Sequence, residues 1–93
     1  MRFYHVGINF RSGKVKSKEL NPFFDLHSID WLRYAENCWV IYTRESADKL
    51  TDALRPLLDR SDEFVVLEVK IETHWGINQQ WVWDWMNGKN RTR

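Results

Sequence analysis

The run Cys38-Trp39-Val40-Ile41-Tyr42-Thr43 sets the tightest limit on how this chain can fold. Its β-branched and aromatic residues suit a pleated strand, and its nearly continuous hydrophobicity leaves no side for water. Such a strand belongs in the middle of a sheet, covered on both faces. The cover has to come from 93 residues. A chain of that size buries roughly 60–70% of the surface its unfolded form exposes, which is enough for one core and one domain over residues 1–93.

Partner strands are readable by period. From Phe3 to Phe10, Tyr4, Val6, Ile8 and Phe10 share one side, the pattern of a half-buried strand, with Gly7 marking a bulge or the close approach of another backbone. From Glu63 to Glu72 the residues alternate again, and Val65, Leu67, Val69 and Ile71 form the expected core face. The segment from Trp31 to Ala35 leads into the central run through Glu36-Asn37, a bend or a hairpin tip. Between the second and last strands, Ser46 is placed to cap a helix over 46–58 whose Ala47, Leu50, Ala53, Leu54, Leu57 and Leu58 fall on one face, with a kink or a last irregular turn expected at Pro56. The stretch from Arg11 to Ser28 carries turn signals at Ser12-Gly13 and Asn21-Pro22 and reads as a loop with one helical turn, anchored by Phe23, Phe24 and Leu26. At the C-terminal end, residues from Asn78 to Met86 predict a short helix capped by Asn78 and stopped by Gly88, with Trp81, Val82, Trp85 and Met86 facing inward. The result is an α+β chain: an antiparallel sheet, one clear helix, a first helix shortened or replaced by a loop, and a Trp-rich helix at the end.

Charge offers little global guidance, since 14 basic residues balance 13 acidic ones. Locally, Arg11, Lys14, Lys16 and Lys18 follow the first strand, and Lys89, Arg91 and Arg93 close the chain. Cys38 is the only cysteine, which excludes an internal disulfide and Cys-pair zinc sites. The N-terminal residues lack a signal-peptide core and no run approaches the ~20 apolar residues of a membrane span, so a cytoplasmic location away from membranes is expected. His5, His27 and His74 have no partner at a zinc-like or helical spacing, and no catalytic, metal or cofactor site is expected. Four of the six tryptophans, Trp75, Trp81, Trp83 and Trp85, crowd the C-terminal segment. One face of so short a helix cannot hide three indoles together with Val82 and Met86, which predicts an exposed Trp83 beside Lys89 and Arg91. An exposed indole there could stack on an unpaired base or anchor a protein interface.

The order of elements, with Asn37-Cys38-Trp39-Val40-Ile41-Tyr42-Thr43, Ser46-Ala47-Asp48-Lys49-Leu50 and Trp75-Gly76, resembles the SinR-like proteins over about residues 37–86. These are relatives of the small ferredoxin-like subunit of the CRISPR spacer-acquisition complex. The resemblance implies a ferredoxin-like βαββαβ topology, a homodimer made through the sheets, and a link to nucleic-acid handling or phage defence. In that CRISPR subunit the first strand ends in an aromatic-Asp pair that ligates a divalent metal. Here the matching end reads Gly7-Ile8-Asn9-Phe10, and an amide carries no charge to hold Mg²⁺. The leading expectation is a noncatalytic dimer that binds nucleic acid through Arg11, Lys14, Lys16, Lys18, Trp83, Lys89 and Arg91. The alternatives are a protein-interaction module such as an inhibitor or antitoxin-like partner, and a metal-dependent nuclease with degenerate ligands that recruits Asp25 or Asp30.

Overall fold

Strand β1 (Arg2–Asn9) runs antiparallel between β3 (Cys38–Thr43) and β4 (Glu63–Val69) in the computed structural model, which describes the backbone of residues 1–91 and the side chains of residues 1–88. Strand β2 (Asp30–Ala35) pairs with the outer side of β3 across a hairpin tipped by Glu36-Asn37, giving the order β2-β3-β1-β4. Helix α1 (Asn21–His27) joins β1 to β2, helix α2 (Ala47–Leu54) joins β3 to β4, and helix α3 (Gln80–Arg91) follows β4. The chain is thus α+β, with a four-stranded antiparallel sheet and three α-helices among the described residues, compatible with a ferredoxin-like arrangement.

The central run is buried from both sides, as its composition requires. On one face Trp39 and Ile41 join Tyr4, Val6 and Ile8 of β1 beneath Phe23 and Phe24 of α1 and Leu50 and Leu54 of α2. Phe24 stacks on the Trp39 ring at 4.8 Å and packs against Trp31 at 5.7 Å, while Phe10 meets Trp39 edge-on at 6.4 Å. On the other face Phe3, Leu32 and Val40 pack with Ile71 and with Val82 of α3.

Several local expectations change for physical reasons. Gly7 carries no bulge, since its register with Cys38 and Val65 is unbroken, and a register shift falls instead between Arg33 and Ala35. The segment after β1 is more helical than a loop: a 3-10 turn, Ser17–Leu20, runs directly into α1, where Pro22 sits in the first turn and its missing N–H leaves no bond unmade. Leu26 is 78% exposed and anchors nothing, while Leu20 is buried in its place. Ser46 stands in the extended N-cap conformation, but its hydroxyl makes no capping bond and instead bonds to the Asp48 carboxylate, holding that acid below the ordinary range. The α-helix ends at Leu54, short of the expected 58, and the irregular last turn expected at Pro56 is a 3-10 turn that leaves Leu57 exposed.

The residues from β4 onward divide between the two clusters. Phe64 and Val66 pack under the helices, whereas Val65 and Leu67 are 47% and 51% exposed. Strand β1 dictates this, because its buried Val6 and Ile8 lie opposite Val66 and Phe64. Of the expected set, Val69 and Ile71 do join the smaller cluster, and a one-residue slip would be needed to bring Val65 and Leu67 beneath α1 and α2. The second side of β4 is covered only toward its end, where Val69 joins the cluster that contains Val82 of α3, while Val65 and Leu67 stay open.

Because Trp39 is fully buried at the centre of the larger cluster, Trp39→Ala is expected to lower unfolding free energy by about 3–5 kcal/mol, measured by denaturant titration. A loss under about 1 kcal/mol would mean the packing around this ring is not what holds the sheet and helices together.

Candidate functional site

Helix α3 approaches the sheet with Val82 at the centre of its inner face, flanked by half-buried Trp83, Trp85 and Met86. Trp81 is the indole left outside, 52% exposed, which reverses the expected positions of Trp81 and Trp83. The segment between β4 and α3 causes the reversal. It folds back so that the His74 ring lies parallel to Trp83 at 5.5 Å, and the Gly76 backbone passes so close that an added Cβ would stand 3.5 Å from the indole. Trp83 therefore has cover that helical periodicity alone does not provide. The helix also starts and ends later than expected, at Gln80 and Arg91, and runs through Gly88. Asn78 accepts a bond from the Gln79 N–H just ahead of it, at 2.8 Å.

Between this roof and the sheet lies a cavity of about 330 Å³. His5, Tyr34 and Val40 of the sheet form its floor, and His74, Trp75 and Trp83 are among its upper walls. The floor is a fixed polar pair: His5 Nε2 lies 2.5 Å from the Tyr34 hydroxyl. Burial lowers the His5 pKa below its ordinary value, and burial, followed by the bond and charge of Cys38, pushes Tyr34 up to about 12. The two groups share one hydrogen bond, in which either the phenol or Nε2–H donates according to the imidazole tautomer.

A second hollow of about 770 Å³ opens around the end of β2, and Tyr34 lines it as well. Its basic wall is Lys16 and Lys18 from the 3-10 turn and Arg33 from β2, whose guanidinium donates to the Ser17 hydroxyl; Glu36 is also at its margin. The expected basic loop is thus divided. Lys16 and Lys18 face this hollow, but Arg11 pairs with Glu63 at 3.4 Å and Lys14 with Asp59 at 3.1 Å. That second pair belongs to a clamp in which Asp62 accepts from the Ser12 and Asp59 backbone N–H groups, each at 2.9 Å, and Asp59 accepts from both the N–H and the hydroxyl of Ser61. These bonds hold both carboxylates below their ordinary pKa. Arg11 and Lys14 fasten a loop to the turn before β4; Lys89 and Arg91 have side chains outside the described residues.

No local pattern in the sequence marks Arg33 as part of the site. Only the hairpin geometry reveals it, by bringing the end of β2 beside the 3-10 turn. Trp75, which helical spacing leaves without a position, stands 96% exposed at the cavity rim. The carboxylates of the nuclease alternative are separated: Asp25 accepts from the Trp31 indole under α1, whereas Asp30 accepts from the Trp85 indole of α3 on the opposite face. Asn9, at the end of β1, donates to Glu63 at 3.4 Å.

The chain matches no family model, no curated protein and no solved structure. Among the described residues, no helix is long and apolar enough to cross a membrane.

The lowered His5 pKa sets a direction for stability. Between the folded and unfolded values the unfolded chain binds the extra proton, so the contribution is fully present above about pH 6.5 and is lost as pH falls through the folded value. An NMR titration is expected to place the His5 ring midpoint below 6.5, with thermal stability declining over the same interval. A midpoint at or above 6.5 would contradict a buried, neutral floor.

Proposed function

We propose that this chain is a small α+β binding protein for nucleic acid, without catalytic activity. More specifically, we infer a ferredoxin-like dimer, linked through its SinR-like resemblance to nucleic-acid handling in phage defence. The observation that carries the binding reading is that two hollows share one lining residue, Tyr34: one has Lys16, Lys18 and Arg33 in its wall, and the other is lined by aromatic rings. Cations along a groove suit phosphates, and adjacent aromatic faces suit bases. The strand order β2-β3-β1-β4, with one helix in each crossover, supports the ferredoxin-like part.

The cations facing the hollow and those tied into the clamp should behave differently. Lys16→Glu with Lys18→Glu is expected to weaken binding to single-stranded oligonucleotides and to flatten the dependence of log K on log salt by about one unit for each phosphate no longer neutralised. Arg11→Glu with Lys14→Glu should have a smaller effect. Fluorescence anisotropy across a salt series measures both, and equal effects would place the strand away from the β2 hollow.

The dimer would use the uncovered side of β4, where Val65 and Leu67 are exposed beside a strand edge that is unpaired among the described residues. Light scattering on the wild type and on a Val65→Lys/Leu67→Lys variant is expected to give a dimer and a monomer respectively; a monomeric wild type refutes this part. A protein partner is the second reading, favoured by exposed Trp75, Ile77 and Trp81 around the roof. A specific protein captured by the wild type and lost on Trp75→Ala, with no nucleic acid in the eluate, would select it.

A further inference from the structure

The polar and apolar groups around the roof cavity are distributed unevenly. Among the described residues its lining contains no aspartate, glutamate, lysine or arginine, and its titratable members are His5, Tyr34 and His74. At about 330 Å³ it falls within the range of roughly 300–1,000 Å³ typical of small-molecule sites. The aromatic surfaces around it are ordered: Trp83 is held flat against His74, and the Trp75 indole at the rim is left bare. On the floor, the His5–Tyr34 bond engages Nε2 of the imidazole. Asn78, also in the lining, has its carbonyl oxygen engaged by the Gln79 N–H and retains its amide donors. A charged ligand would find no counter-ion in that lining. A planar, neutral ring with acceptors on its edge would have stacking surfaces and donors.

We propose that this cavity receives the unpaired base of a single strand, whose neighbouring phosphate lies across Tyr34 against Lys16, Lys18 and Arg33. The proposal rests on the nucleic-acid reading for the strand, while the cavity itself requires only a nucleoside. A base inside a duplex is excluded as occupant, because its faces are covered by its neighbours and its edge by its partner. The strand must therefore present an unpaired nucleotide. Trp75, bare in the protein alone, becomes the lid or outer face of the stacked ring, which accounts for a large indole held 96% exposed beside a cavity.

The test compares a short single-stranded oligonucleotide with an otherwise identical strand lacking bases, using the full chain and fluorescence anisotropy. The strand with bases is expected to bind about tenfold more tightly, the value of one stacked base, and Trp75→Ala should bring it to the level of the baseless strand without changing the melting temperature. Equal binding of the two strands, or a Trp75→Ala variant that keeps the difference, would overturn the base site and leave the phosphate contacts standing. If neither strand binds, the nucleic-acid reading fails, and a neutral nucleoside at millimolar concentration decides the cavity alone. Shifts of the Trp75 and Trp83 indole N–H and His5 ring signals would retain it as a site for a planar ring, and their absence would remove it.

Discussion

Strand β3 has to be covered on both faces, and the rest of the architecture follows from this requirement. Trp39 and Ile41 project to one side and Val40 and Tyr42 to the other, so neither two helices on one face nor one on the opposite face would be sufficient alone. The crossovers of the sheet supply α1 and α2 to the first side, where Phe24 stacks on Trp39. No crossover remains for the second side. Its cover has to come from residues beyond β4, and α3 provides it over β2 and β3 while leaving Val65 and Leu67 of β4 bare.

This division explains the site. A helix laid on a flat sheet would leave a shallow seam, but the chain reaching α3 turns back over Trp83 through His74 and Gly76 and widens the seam into a cavity. The β2–β3 hairpin ends beside the same cavity, which places Tyr34 within it and Arg33 on its far side near Lys16 and Lys18. A polar floor, an aromatic wall and a basic approach are therefore consequences of covering one strand from the chain's C-terminal side.

The features of the fold legible in the sequence are those written in short-range patterns. The period of two from Tyr4 to Phe10, the helical spacing from Ala47 to Leu54, the turn at Glu36-Asn37 and the break at Pro56 each report a local preference that the packing does not oppose. The errors arise where two patterns are equally apolar or where a distant segment decides. Both sides of β4 read as strand faces, and only pairing with Val6 and Ile8 selects Phe64 and Val66. Trp81 and Trp83 stand two residues apart on one helix, and only the returning segment at Gly76 decides which is covered. In the site, the charge run from Arg11 to Lys18 is visible in the sequence, but the division between loop clamp and open hollow depends on Asp59, Asp62 and Glu63, more than 40 residues away.

The two packed clusters on opposite faces also separate two kinds of selection. The larger holds Trp39, Phe24, Leu50 and Leu54; the smaller carries the walls and floor near the cavity, and the thickness of one sheet lies between them. A lineage carrying this arrangement could recut the cavity through His74, Trp75 or Trp83 while the aromatic stack beneath α1 continued to specify the fold. Such a scaffold can change the shape of its cavity without passing through an unfolded ancestor.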